Sequence, residues 1–110
     1  MSFSRVKICT TVPHENADAL REALGNAGAG AIGEYRFCSF TVTGKGRFLP
    51  TARAHPHIGM PGELEVVEEE QIEVICERTI APKVVAALRT AHPYEEPIVD
   101  IIPLIDEKEL

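Results

Sequence analysis

The alternation of apolar and polar residues predicts a strand and a helix in the first quarter of the chain. In residues 5–12, every second position is apolar or threonine, the period-two pattern of a strand with one covered face. Apolar residues then recur at three- and four-residue steps through residues 17–27, as in an amphipathic helix, and Gly28 stops it. The pattern therefore predicts a strand followed by a helix.

The middle of the chain predicts two strands joined by a long loop. Residues 35–43, YRFCSFTVT, are rich in aromatic and β-branched residues and predict the second strand. Residues 44–62 hold four glycines and three prolines without a sustained period, which predicts a long loop of the kind that often carries function. Residues 63–77 predict a third strand, with a bulge or bend where the glutamates of residues 68–70 interrupt its apolar face.

The last third predicts a second helix and a fourth strand. Pro82 suits the first turn of a helix, which ends at His92-Pro93. Residues 98–104 predict a short apolar strand, and the charged residues 106–110 predict a frayed tail. The order β-α-β-β-α-β indicates a single α+β domain over residues 1–110, a ferredoxin-like sandwich with both helices on one face of an antiparallel sheet.

The predicted sheet has more apolar residues than one covered face requires. In the last strand, Val99 and Ile101 lie on one face while Ile98 and Ile102 lie on the other. Large exposed apolar surfaces usually mark interfaces. We therefore expect self-association to cover the second face.

Composition narrows the class of partner. Among 110 residues, 17 acidic side chains outnumber 11 basic ones, for a net charge of -6. This sign argues against nucleic acid and fits a cation or a basic partner better. Cys9, Cys38 and Cys76 lie in apolar runs without CxxC spacing and are predicted to be buried, reduced thiols. We find no segment typical of a signal peptide or a membrane span, so the expected location is cytoplasmic.

Two glycine-containing motifs are interpreted as structural. Residues 28–33, GAGAIG, match GxGxxG, but they follow a helix and lead into a strand, the reverse of a dinucleotide-binding context. The segment TGKGRF at residues 43–48 places Lys45 and Arg47 beside two glycines, as an anion-binding nest would. A tight hairpin-like excursion with solvated charges is the favoured interpretation of this segment.

The histidines predict a metal site that depends on the loop. His55 and His57 share one side of an extended segment and can begin a zinc or copper site, which needs a third ligand. His92, Glu95 and Glu96 are the candidates, provided that the loop folds back onto the end of the second helix. Without that contact, the paired histidines are polar surface.

The segment HPYEEP, residues 92–97, has three interpretations. His92 can be a base oriented by Glu95 or Glu96, but no partner nucleophile motif accompanies it. His92 and one glutamate can hold a cation. Alternatively, the prolines stop the helix and fix the entry into the next strand, while Tyr94 packs its ring. From the residues alone, the structural interpretation is favoured.

Several longer segments of the chain also resemble a known protein family. The segments GAGAIGEYRFCSFTVTGKGRFLP, AHPHIGMPGELEVVEEEQIEVIC and ALRTAHPYEEPIVDI resemble the module inserted into bacterial members of the NGG-interacting-factor-three family, which also occurs alone. HPYEEP is also similar to the HPYE-x-P-E segment of the CutA divalent-cation tolerance proteins, relatives in shape of the PII signalling proteins. Here Glu96 stands at the variable position and Ile98 replaces the second glutamate.

The resemblance implies a CutA/PII-like fold and a trimer assembled through sheet edges, in preference to a dimer. The larger family's dinuclear metal site lies in outer domains that are not in this sequence, so no hydrolase role is carried over. We therefore expect a non-catalytic, homo-oligomeric module that binds a divalent metal such as zinc or copper. The alternative is a protein-interaction scaffold whose loop and acidic residues 68–70 dock a partner protein, and a hydrolase using His92 is the least favoured.

The residues expected to take part fall into two groups. The predicted metal contacts are His55, His57, His92, Glu95 and Glu96. The predicted ligand or interface residues are Tyr35, Lys45, Arg47, Phe48 and Tyr94.

Overall fold

The computed structural model describes residues 3–110 and contains one four-stranded antiparallel sheet with two helices. The strand order across the sheet is β2-β3-β1-β4. The predicted ferredoxin-like, CutA-like fold is confirmed. The elements are β1 (Arg5–Pro13), α1 (Ala17–Asn26), β2 (Phe40–Phe48), β3 (Glu65–Glu77), α2 (Ala81–Ala91) and β4 (Asp100–Leu104). Short 3-10 turns at His14–Asn16 and Arg78–Ile80 lead into the helices, and a third, Glu107–Glu109, lies near the chain end.

The core lies between one face of the sheet and the two helices. The predicted alternation in β1 holds, because Ile8 and Val12 are fully buried on this face. The apolar stripe of α1 adds Leu20, and that of α2 adds Val84 and Leu88. Burial of these side chains, at about 1.5–3 kcal/mol each, fixes which face of each element points inward.

The second strand begins five residues later than predicted. Residues 33–39 form turns instead, and Phe37 takes a left-handed backbone conformation with φ of 60°. Its ring covers Gly25, where any Cβ would collide with it. The aromatic content that predicted a strand therefore reflects packing of Phe37 against α1.

The same strand continues through the glycines that predicted a loop. Gly44 pairs with Glu69 and Gly46 with Val67 across β2 and β3. Neither glycine has a positive φ. The hairpin-like excursion predicted here was wrong, and the paired strand does not form the anion-binding nest that was its less favoured alternative. The connecting loop is shortened to residues 49–64.

The third strand runs through the glutamates without the predicted bulge. Its pairing with β1 and with β2 keeps a constant register, and Glu69 lies opposite both Pro13 and Gly44. On the N-terminal side of Glu69, β3 pairs with β2 alone. Residues 45–48 and 65–68 thus form a two-stranded extension, called the ribbon below.

The face of the sheet away from the helices, called the open face, exposes apolar side chains. Phe40, Val42, Ile98 and Ile102 are each about half exposed or more. Apolar residues therefore do occur on both faces, as the sequence predicted.

The cysteines follow the prediction in part. Cys9 and Cys76 are buried, but Cys38 is only half-buried because it lies in the turns before β2. All three are free thiols. None of the helices within residues 3–110 has the length and apolarity to cross a membrane.

Candidate functional site

The HPYEEP turn, residues 92–97, begins where α2 ends, and His92 holds it in place. The His92 main-chain N–H donates to the Leu88 carbonyl oxygen at 2.8 Å. The Tyr94 main-chain N–H donates to His92 Nδ1 at 3.1 Å, so the ring proton is on Nε2. Nε2 then donates to the Thr11 carbonyl oxygen at 2.8 Å. His92 is therefore a neutral brace between the end of α2 and β1.

This arrangement contradicts the proposed chemistry of His92. The side chain is buried, with the residue only 6% exposed, and both ring nitrogens are engaged by the main chain. Burial lowers the pKa of His92 below its ordinary value. A metal ligand or a general base needs a free nitrogen. His92 offers none in this geometry, which argues against it as a metal contact and as a hydrolase base.

Tyr94 links the turn to β3 and β2. Its hydroxyl donates to Glu69 Oε2 at 2.7 Å, and its ring meets Phe48 edge-on with centroids 5.8 Å apart. Burial raises the pKa of Tyr94, and the hydrogen bond and charge of Glu69 raise it further. The hydroxyl therefore stays protonated and acts as a donor.

The loop does reach the HPYEEP turn, but at Tyr94 and Glu95 rather than at His92. The His55 main-chain N–H donates to Glu95 Oε1 at 3.2 Å, and the His57 ring centroid lies 6.4 Å from that of Tyr94. Loop and turn enclose a cavity of about 280 Å³, called the loop pocket below. Its lining includes Phe48, Pro50, Thr51, Ala54, Pro56, His57, Ile58, Tyr94, Glu95 and Glu96.

A second cavity of about 350 Å³, called the sheet pocket below, opens on the open face. Its floor is the bare stretch of β2 at Gly44 and Gly46, which contribute no side chains. The walls include Thr11, Val42, Phe48, Glu69, Gln71, Tyr94 and Ile98. Phe48 and Tyr94 separate the two pockets, because both residues line each of them.

No preformed metal centre is found in the part of the chain that the structure describes. Within residues 3–110, no three His, Cys, Asp or Glu side chains are grouped so as to hold an ion. Of the two loop histidines, His57 lines the loop pocket, whereas His55 contacts Glu95 through its main chain.

Comparison with known proteins shows that the chain is similar to one part of longer proteins. No family model matches it. It is 49% identical over 106 residues to a Halalkalibacterium halodurans protein named GTP cyclohydrolase 1 type 2 homolog, covering 96% of this chain and 28% of that protein. The crystal structure of a Bacillus cereus protein related to NIF3 superimposes with a TM-score of 0.81 at 40% identity, over 96% of this chain and 27% of that one.

This chain is related to one module of the NIF3-related proteins. It spans little more than a quarter of the length of the relatives that it matches. The CutA divalent-cation tolerance protein of Archaeoglobus fulgidus has the same fold, with a TM-score of 0.68 over 96% of this chain and 89% of that one. At 20% identity, this likeness concerns the fold alone. The predicted resemblance to both groups is confirmed.

The remaining residues predicted from the sequence are dispersed. Lys45 Nζ pairs with Glu68 Oε1 at 2.9 Å on the ribbon. Arg47, like Lys45, borders the sheet pocket. Tyr35 is 73% exposed, bonded to Ile32 in the turns before β2, and lines neither pocket described above.

Sequence reasoning missed Glu69 and the two glycines as parts of one cavity. Glutamates at residues 68–70 predicted a docking strip, yet Glu69 and Glu70 are 8% and 5% exposed. A signal was present, because Gly44 and Gly46 stand two residues apart and so clear one face of a strand. It was not used because these residues were assigned to a loop.

Proposed function

We propose that this chain is a non-catalytic, homo-oligomeric CutA/PII-like module that binds a small ligand in the loop pocket. The observation that carries the proposal is the closure of the loop onto the HPYEEP turn through the hydrogen bond from His55 to Glu95 at 3.2 Å. A concave site lined by apolar walls and a few polar groups is the usual form of a small-molecule site. The loop pocket, with His57, Glu95 and Glu96 among its walls, has this form.

The ligand class that we propose is a divalent cation such as Zn²⁺ or Cu²⁺. His57, Glu95 and Glu96 supply the nitrogen and oxygen ligands that these ions accept. His55 is a further candidate because its main chain is already fixed at the pocket. Side-chain rotation, or a ligand from a second copy at a subunit boundary, completes the coordination.

Homo-oligomer formation, with a trimer favoured over a dimer, is proposed from the open face. Phe40 on β2 and Ile102 on β4, both outside the sheet pocket, place exposed apolar side chains at the two edges of the sheet. Burying such side chains against a second copy removes them from water. Light scattering is expected to give a mass of three times the 12.0 kDa chain. A monomer mass at micromolar concentration contradicts this part.

Catalysis is not proposed for this module. His92 was the one candidate base in the sequence, but its ring is neutral and both of its nitrogens are hydrogen-bonded to the main chain. This chain matches only 28% of the length of a relative named GTP cyclohydrolase 1 type 2 homolog, and we propose that any activity of such relatives belongs to their other segments. The alternative, a scaffold that docks a partner protein through the glutamates of residues 68–70, is less supported, because only Glu68 of the three is exposed.

Calorimetric titration of metal-free protein with zinc chloride tests the proposal. We expect saturable binding that the double variant Glu95→Gln/Glu96→Gln abolishes. The control is Glu107→Gln/Glu109→Gln, which removes the same charge at the exposed chain end. Heats that do not saturate below millimolar concentration, or equal binding by both double variants, contradict the metal site.

A further inference from the structure

The sheet pocket contains a buried carboxylate that lacks a counter-ion. Glu69 is 8% exposed and lines this pocket. Its one side-chain hydrogen bond within residues 3–110 is from the Tyr94 hydroxyl to Oε2, at 2.7 Å. It forms no ion pair with any described residue. Oε1 thus has no hydrogen-bond partner among the described residues, and because it is not fully buried it remains open to the cavity.

The glycines of β2 make room for this carboxylate. A Cβ added at Gly46 would collide with Oε1 of Glu69, so the carboxylate occupies space that exists because residue 46 has no side chain. Gly44 leaves the neighbouring position on the same face empty as well. The side chain is therefore directed across the bare floor of the pocket.

Apart from Lys45 and Arg47 on β2, the residues that line the rest of the pocket are apolar or uncharged. Val42, Phe48, Ile98 and the Tyr94 ring form walls that suit hydrocarbon or aromatic surface. Lys45 and Arg47 alternate with Gly44 and Gly46 along β2, so their side chains leave the strand on its other face, where Lys45 pairs with Glu68 at 2.9 Å. Among the described residues, neither cation forms an ion pair with Glu69. The negative charge at the floor consequently remains unneutralised by this chain.

These features select one class of ligand. An inorganic anion is repelled by Glu69, and a hard divalent cation needs several oxygen ligands where the pocket offers one carboxylate. An organic cation satisfies both parts, because its N–H groups bond to the free Oε1 while its apolar body fills the cavity. A volume of about 350 Å³ suits a small molecule.

We propose that the sheet pocket binds a small organic cation, an ammonium or amidinium group on an apolar or aromatic body, with Glu69 as its counter-ion. Glu69 Oε1 accepts from the cation, while the Tyr94 hydroxyl holds Oε2 in place. The site is separate from the metal site proposed in the loop pocket, although Phe48 and Tyr94 wall both.

Calorimetric titration with benzamidine, a planar amidinium on an aromatic ring, tests the site. We expect a dissociation constant below about 1 mM at pH 7. Benzamide has nearly the same shape without the charge, and benzoate reverses the charge. Both are expected to bind at least about tenfold more weakly. Benzamide binding as tightly as benzamidine overturns the proposal.

Three variants assign the binding to the carboxylate. Glu69→Gln removes the charge but keeps an oxygen for the Tyr94 hydroxyl, so it should fold and bind benzamidine at least about tenfold more weakly. Glu22→Gln removes the same charge from an exposed position on α1, away from the pocket, and should stay within about twofold of the parent. Gly46→Ala keeps the charge and displaces the carboxylate, and it too should weaken binding.

Folding and assembly are checked in the same samples. Thermal melting by circular dichroism and mass by light scattering should match the parent for Glu69→Gln. Unchanged benzamidine binding in that variant, or a loss that accompanies a change in mass, overturns the proposal. The double variant Glu95→Gln/Glu96→Gln should bind benzamidine normally, so failure of the zinc site and failure of this site are distinguishable.

Discussion

Glu69 and Glu70 are neighbours in β3, both buried, and they point to opposite faces of the sheet. On the helix-covered face, Glu70 accepts from Arg21 Nη1 at 2.7 Å and lies 2.6 Å from His14 Nδ1. On the open face, Glu69 is bonded to the Tyr94 hydroxyl. One carboxylate has ionic partners within the chain, and the other has a neutral one.

The difference follows from what each face packs against. Helix α1 brings Arg21 over the sheet, where Asp18 and Thr41 also hold the guanidinium, at 2.6 and 3.2 Å. The hydrogen bond from Arg21 holds the pKa of Glu70 below its ordinary value, despite burial. The open face has no helix to bring a cation. A buried charge there is a binding feature, whereas the same residue type one position later is part of the fold.

The largest expected effect is the contrast in stability between Glu70→Gln and Glu69→Gln. Loss of the Glu70 charge leaves Arg21 without its buried partner and should lower the free energy of unfolding by about 2–3 kcal/mol. Glu69→Gln keeps its one hydrogen bond and should change it by less than about 1 kcal/mol. Urea denaturation at pH 7 measures both values. Equal losses contradict the division of roles.

Acid titration sharpens this contrast. Because the pKa of Glu70 is lower in the folded protein than its ordinary 4.5, the unfolded chain takes up the proton first. The stability due to Glu70 is therefore present above pH 4.5 and lost as the pH falls through the lower folded value. The Glu70→Gln variant should lose less stability than the parent over that window.

His92, which braces the helix layer to the sheet, should give the next largest effect. His92→Ala removes a buried ring with two hydrogen bonds and should cost about 2 kcal/mol of unfolding free energy. Since burial lowers the folded pKa below 6.5, the parent should also lose stability as the pH falls below 6.5, and the variant should not. Identical pH profiles between pH 7 and 5 in urea denaturation would falsify the buried, neutral assignment.

The smallest expected effect is that of Tyr94→Phe, which removes only the hydroxyl facing Glu69. The carboxylate then loses its hydrogen bond inside the chain, at a cost of about 1 kcal/mol. In the double variant with Glu69→Ala, which removes the acceptor, the two costs should not add, and a double-mutant cycle gives the coupling. Strict additivity means that the hydroxyl and the carboxylate do not interact in solution.

The order of elements and the covered core were predictable, because period-two and helical patterns directly report which side chains are buried. Errors arose where side chains served another element. Phe37 suggested a strand but packs on α1, and Glu70 suggested a bulge but pairs with Arg21. Both contacts join segments far apart in sequence, and no local pattern encodes them.

The candidate site was predictable in its parts and not in its geometry. The metal site was predicted on the condition that the loop folds back onto the end of α2, and the loop does contact the HPYEEP turn there, between His55 and Glu95. The engagement of His92 depends on the Thr11 carbonyl, 81 residues away, so its residue type alone could not exclude it as a ligand. Glu69 was missed because the lack of an ion-pair partner on its face of the sheet becomes visible only when the side chains on both faces are known.

The ribbon gives this fold two regimes of motion. Up to Glu69, β3 has a neighbour on each side, but residues 65–68 are bonded to β2 alone, and a two-stranded pairing is marginal by itself. Amide protons of the ribbon should therefore exchange with solvent through local opening, well before those of the core. Gly44 and Gly46 lie at the boundary of these regimes, so the floor of the sheet pocket can open and close while the core stays folded. The residence time of a bound molecule would then be set by the fraying of two strands.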